Sequence, residues 1–278
     1  MAPRLHSREP GPVLIPAGRP HRPIRGSRHA DRHVAGYAVT DGRRIEELRA
    51  GLARTEERIR AACADAHRDR AEVSLIVVTK FFPATDVVSL LELGVRDIGE
   101  NRDQEARAKV RETAELLGGA RLPRMHFIGQ AQRNKAGSIA QYADVVHSLD
   151  RPALAEALDR GAARADRTLD VLIQVDLDPE PDPGRGGSAP ADVGRLAQLV
   201  EGLERLRLRG VMTVAPLGMD PDRVFGRLAE VSSELRSDHP DARWISAGMS
   251  GDLESAVAHG ATHLRVGTAI LGSRPSHR

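Results

Sequence analysis

Lys80 stands where an apolar run ends. Ser74-Leu75-Ile76-Val77-Val78-Thr79 leads into it, and Pro83 follows shortly after. An apolar, β-branched run of this length reads as a strand buried on both faces, as in a parallel sheet. A lysine at the end of such a strand sits in low dielectric, which disfavours the ammonium and makes the amine a better nucleophile. The ordinary alternative is a side chain that snorkels to water. Two further stretches supply a different chemistry. Ser246-Ala247-Gly248-Met249-Ser250 and Arg265-Val266-Gly267-Thr268 combine glycine, which lets a backbone come close, with hydroxyls and N–H groups suited to a dianion. Either stretch alone is also ordinary turn composition. An amine and a phosphate cradle on one rim suit a phosphorylated aldehyde held as a Schiff base, the chemistry of pyridoxal 5′-phosphate.

These residues share a rim only if the elements between them bring them there. Apolar runs predict strands at 74–80, 95–100, 125–129, 145–149, 171–177, 210–214, 244–248 and 263–266. Amphipathic segments predict helices at 41–69, from Thr85 or Asp86 to Leu93, at 102–117 and 134–142, from Pro152 onward, and at 191–206, 221–236 and 252–259. Asp41, Asp150 and Asp252 are the expected caps. Eight strands alternating with helices predict an α/β fold, a (β/α)8 TIM barrel forming a single domain over residues 39–278. An open doubly wound sheet is the alternative, but no G-x-G-x-x-G follows the first strand. In a barrel the chemistry sits at the carboxyl ends of the strands. His126 and His147 fall on strands without a third ligand at recognised spacing, so they read as hydrogen-bond partners inside the barrel. Gly184-Arg185-Gly186-Gly187 is framed by no strand and helix and reads as a loop.

Composition narrows the classes. The lone cysteine, Cys63, allows no internal disulfide and points to a reducing compartment, and no run approaches a membrane span. A cytoplasmic protein is the expectation. The sequence pI near 9.0 suggests nucleic acid until the charge is located. Residues 1–35 carry seven arginines against Glu9 and Asp31, a net +5, so the whole-chain +2 leaves −3 on residues 36–278. The basicity lies in a Pro/Arg/His-rich segment, residues 1–38, expected to be a disordered tail. The body is left net acidic, and nucleic acid is not expected as a partner.

The strand-end motifs together resemble the pyridoxal phosphate homeostasis protein family. The stretches are Val78-Thr79-Lys80 with Pro83, Ile98-Gly99-Glu100-Asn101 with Gln104-Glu105, His126-Phe127-Ile128-Gly129 with Gln132 and Asn134-Lys135, Gly210-Val211-Met212, Ser246 to Ser250 with Asp252, and Arg265 to Ile270 with Gly272 and Arg274. The match runs from about residue 42 to 274. It implies a barrel related to the barrel half of alanine racemase, with pyridoxal 5′-phosphate as cofactor. By the same resemblance Lys80 carries the Schiff base, and Ser246 or Ser250 holds the phosphate with Gly267 and Thr268. Asn101 then lies near the ring and its phenolic oxygen, and Arg265 faces the pyridine nitrogen. Apo forms of cofactor-dependent enzymes are the implied protein partners. Ala131 where leucine is usual, and Arg102-Asp103 where an aromatic is common, depart from the pattern on the substrate side.

Three classes stay open at this point. The first is a protein that holds and supplies the cofactor. The second is an amino-acid racemase or aldolase. The third is a cofactor-free aldolase using Lys80 on a sugar phosphate. An arginine beside the pyridine nitrogen keeps that nitrogen unprotonated and weakens the ring as an electron sink. A racemase also needs a second base, and the two tyrosines, Tyr37 and Tyr142, do not fall at strand ends. Both points favour the first class.

Overall fold

The computed structural model describes residues 42–180 and 186–273. The expected tail, Asp41 as a cap, Tyr37, Arg185 and Arg274 lie outside the described residues. Eight parallel strands close into a barrel in sequence order: β1 Ser74–Val78, β2 Asp97–Glu100, β3 Arg124–Phe127, β4 Val145–Leu149, β5 Leu169–Gln174, β6 Leu206–Met212, β7 Trp244–Ser246 and β8 His263–Val266. The ring is completed by β1 against β8, with Ser74 opposite His263 and Val77 opposite Val266.

Alternation along the strands separates two interiors. Val146, Val171, Ile173 and Val211 face outward and pack with helix residues such as Leu154, Leu158 and Leu196 in the main core. Their neighbours Val145, Leu172 and Met212 form a second small cluster with Trp244, which fills the lumen. His147 has the same parity as Val145 and is fully buried there.

The helices are α1 Gly42–Asp65, α2 Ala84–Glu92, α3 Asp103–Leu117, α4 Ala136–Tyr142, α5 Pro152–Arg164, α6 Val193–Glu201, α7 Pro221–Asp238, α8 Leu253–Ala258 and α9 Thr268–Leu271. α1 precedes the barrel and buries Leu48 and Ile59 on the face expected from their spacing. It touches α9 so closely at Gly51 that a Cβ there would stand 2.5 Å from the Ile270 carbonyl oxygen. Arg44 of α1 donates to Asp86 at 2.6 Å and to the Leu271 carbonyl at 3.1 Å. Asp86 is therefore a buried ion-pair partner inside α2, and Pro83 takes the cap position.

Three boundaries differ from expectation for local reasons. Residues 203–206, read as helix, turn out of α6 after Gly202, and β6 starts at Leu206 with exposed Arg207 and half-buried Leu208. Asp150 does not cap α5: its carboxylate accepts from Arg151 Nη1 at 2.6 Å, and Arg151 occupies the cap position. Asp252 precedes α8 but accepts from the Met249 N–H at 2.6 Å, bracing the preceding loop. Among the described residues, no helix is long and apolar enough to cross a membrane.

Candidate functional site

β1 ends at Val78, and the chain then makes a four-residue turn closed by Phe82 N–H donating to the Thr79 carbonyl at 3.0 Å. Phe81 holds φ +72, a backbone position that bulky residues rarely adopt. The surroundings over-determine it. Its N–H donates to the Glu105 carboxylate, and its ring lies 5.3 Å from the Arg102 guanidinium. Behind the turn is a buried polar knot: Lys109 Nζ donates to Glu100 Oε1 at 2.6 Å and to the Thr79 carbonyl at 2.7 Å. Thr79 Oγ1 donates to the same Glu100 oxygen at 2.6 Å. Burial raises the Glu100 carboxyl pKa, and Lys109 opposes that rise.

Lys80 is half-buried on this turn, with Nζ 5.9 Å from the centre of the Phe81 ring. Among the described residues it makes no ion pair or hydrogen bond. The knot has its own lysine, so no carboxylate claims the Lys80 amine.

Beside it on the barrel mouth are the loops after β8 and β7, since β8 pairs with β1 and β7 with β8. Lys80, Ser250, Gly251, Arg265, Gly267 and Thr268 line one cavity of about 360 Å³ with apolar walls from Val78 and Ile128. Gly248 sets the first loop: at φ +89, a Cβ would lie 2.6 Å from Ala256 Cβ and 2.8 Å from Leu264 Cδ2. Gly267 sets the second, where a Cβ would come within 3.0 Å of the Val78 carbonyl oxygen. α1 braces both, through Arg58 Nη1 donating to the Ser250 carbonyl at 3.0 Å and through the Gly51 contact with α9.

Arg265 is buried, and its guanidinium is tied inward. Nη1 donates to Ser246 Oγ at 2.6 Å and Nη2 to the Thr213 carbonyl at 2.8 Å. Burial lowers its pKa to about 10, against the raising effect of Asp252. Ser246 is fully buried and outside the cavity lining, its hydroxyl shared between Arg265 and His147. The structure thus brings Lys80, Ser250, Arg265, Gly267 and Thr268 together and places Ser246 behind Arg265. Asn101 borders a neighbouring depression with Gln130 and Lys135, and its Oδ1 is buried without a partner among the described residues.

Sequence reasoning missed Lys109 and Phe81. A lysine on an amphipathic helix reads as solvent-facing, and only the fold brings Glu100 against it. A phenylalanine carries no signal of positive φ.

An unclaimed amine beside two glycine-and-hydroxyl loops is suited to adding to a carbonyl while holding an attached anion. Known proteins share this arrangement of chain. The family model for the alanine racemase N-terminal domain matches residues 48–275. The pyridoxal phosphate homeostasis protein of Mycobacterium leprae is 45% identical over 244 residues, 83% of this chain and 94% of its own. That of Corynebacterium glutamicum is 44% identical over 227 residues, 79% of this chain and 99% of its own. The solved structure of PipY from Synechococcus elongatus with PLP bound covers 81% of this chain and 100% of its own, with 33% identity and a TM-score of 0.70. Identity of this extent over nearly the whole of each relative means that the chain belongs to the pyridoxal phosphate homeostasis protein family.

Proposed function

We propose that this protein binds pyridoxal 5′-phosphate reversibly and serves cellular homeostasis of that cofactor, with Lys80 as the point of covalent attachment. The observation that carries the reading is the single cavity shared by the unclaimed Lys80 amine, the Ser250 and Gly267–Thr268 loops, and Arg265. The residues fit the group. Glycine at 267 leaves backbone where a side chain would fill the cradle, and the apolar Val78 and Ile128 walls suit an aromatic ring. When bound, the cofactor supplies a reactive aldehyde and an electron-withdrawing ring. Lys80 Nζ would be the amine presented to that aldehyde, and Ser250 Oγ, Thr268 Oγ1 and the Gly267 backbone would hold the phosphate. Arg265 would serve the ring nitrogen, with Ser246 as its support from behind. Asn101, which borders the neighbouring depression, would serve the phenolic side as the family resemblance implies.

A holding role is favoured over turnover by what surrounds the ring. Arg265 stays protonated at neutral pH, so the nitrogen beside it receives no proton. Tyr142, the tyrosine among the described residues, is buried at the end of α4, and burial raises its hydroxyl pKa further. It is not presented to the cavity as a second base. Transfer to apo enzymes in the cytoplasm suits such a carrier, and the buried free thiol of Cys63 suits a reducing compartment.

The test is the visible spectrum of purified protein given pyridoxal 5′-phosphate, before and after borohydride, with the adduct mapped by peptide mass. A band lost on reduction and pyridoxyl mass on Lys80 are expected, and both disappear in Lys80→Ala. No band, or an adduct on another lysine, overturns the reading.

A further inference from the structure

The lumen of the barrel holds a line of polar groups that the cofactor cavity does not use directly. Asp97 Oδ1 lies 2.9 Å from His126 Nε2, and His126 Nδ1 lies 2.9 Å from His147 Nε2. His147 Nδ1 lies 2.9 Å from Ser246 Oγ, which receives Arg265 Nη1 at 2.6 Å. The line starts at the amino end of β2, where the Asp97 side chain is 26% exposed. It then steps through β3 and β4 and crosses the lumen to β7 and β8.

The two ends fix the direction of every proton between them. An ionised carboxylate only accepts, and a guanidinium only donates. A neutral His126 beside Asp97 must carry its proton on Nε2, which leaves Nδ1 as an acceptor. His147 must then donate from Nε2 and accept at Nδ1, so the Ser246 hydroxyl proton points to His147. The Ser246 oxygen is left to accept from Arg265. No other assignment of two neutral rings satisfies both ends. Neutrality follows from the surroundings. Burial lowers both imidazole pKa values and on His126 outweighs the raising effect of Asp97 and Asp144; Arg124, Arg265 and His263 act on His147 in the same direction as burial, and two imidazoliums 2.9 Å apart would repel.

We infer that Asp97 is a positioning residue for Arg265: through His126, His147 and Ser246 it polarises one unidirectional hydrogen-bond chain whose last acceptor holds the guanidinium plane at the cofactor cavity. The inference rests on the proposed cofactor site only for what Arg265 faces. The chain itself belongs to the cofactor-free protein.

Two measurements test it. Nitrogen-15 NMR of the histidine rings in cofactor-free wild-type protein should show protonated Nε2 and bare Nδ1 for both His126 and His147. A protonated Nδ1 on either ring overturns the chain. Asp97→Ala, which removes the terminal acceptor, and Ser246→Ala, which cuts the chain at the other end, are then loaded with pyridoxal 5′-phosphate. Each should shift the pH profile of the bound-cofactor absorption band and speed its release by about tenfold, the weight of one hydrogen bond to a charged group. Asp97→Asn, which keeps an acceptor oxygen, should restore most of both. Unchanged band and release in both alanine variants overturn the positioning role. A wild-type protein with the expected tautomers but no cofactor band instead overturns the cofactor reading, so the two failures are told apart.

Discussion

Replacing Lys109 with methionine removes a cation from the only place where Glu100 finds one among the described residues. Glu100 is fully buried and Lys109 is 6% exposed. Glu100 Oε1 takes hydrogen bonds from Lys109 Nζ and Thr79 Oγ1, and Oε2 has no partner among the described residues. Methionine keeps the apolar stem and leaves a buried carboxylate with one hydroxyl donor. Breaking a buried pair from one side costs about 3–5 kcal/mol. The Glu100 carboxyl pKa is already raised by burial, and losing Lys109 raises it further. A carboxyl group with a raised folded pKa binds its proton more tightly when folded. The penalty is therefore full above that pKa and shrinks as pH falls through it. Urea unfolding of wild type, Lys109→Met, Glu100→Gln and the double variant measures this. The expected result is a loss of about 3–5 kcal/mol for Lys109→Met, smaller in acid. The double variant should recover at least about 2 kcal/mol relative to the sum of the singles. A loss under about 1 kcal/mol, with additive singles, refutes the claim that the knot holds the Lys80 turn.

Gly51→Ala sets a methyl against the Ile270 carbonyl and should cost about 1–3 kcal/mol while weakening cofactor retention, because α9 carries Thr268. Thermal unfolding and cofactor titration check it, and unchanged retention would separate α1 from the cradle. Gly248→Ala pairs a clash with an unfavourable φ, so the folded fraction should lose phosphate-competable cofactor binding, read by displacement with inorganic phosphate. His126, His147 and His263 are buried with lowered pKa values, His263 falling to about 3 mainly through burial. The native state refuses protons that the unfolded chain accepts below its own value of about 6.5, so their stability contribution is present above that pH and is lost as pH falls toward 3. Unfolding free energies from urea titrations between pH 7.5 and 5 should drop, by up to about 1.4 kcal/mol per pH unit for each histidine, and a flat profile would refute it.

Val145–Leu149 and His263–Val266 fall where expected although polar His147, Ser148, His263 and Arg265 interrupt their apolar residues, because every position in both strands is buried and short apolar pairs between turns still mark a central strand. β6 was less legible, since Leu203, Leu206 and Leu208 fit a helical stripe as well as a strand edge. At the site, glycines and hydroxyls announced the two loops because backbone approach restricts residue type. The partner of each polar group was not announced. Arg151 takes the cap position expected of Asp150, Asp252 sits at the cap of α8 but accepts from the Met249 N–H, and Ser246 turns away to Arg265 and His147. Those choices depend on which strand lies opposite, and sequence spacing does not encode that.

The helix that braces the cradle meets parts of the chain made long after it. α1 packs on Ile270 and lends Arg58 to Ser250, and β1 completes its pairing only with β8. A ribosome that has released Lys80 must travel to Arg265 and beyond before either partner exists, roughly 10–40 s at ordinary elongation rates. During that interval the edge of β1 and the apolar stripe of α1 stand without their native cover, a target for chaperones and a risk of strand-to-strand association. On the proposed cofactor site, Lys80 is synthesised early while the loops after β7 and β8 that complete the site come only at closure, so a nascent chain would lack the complete site.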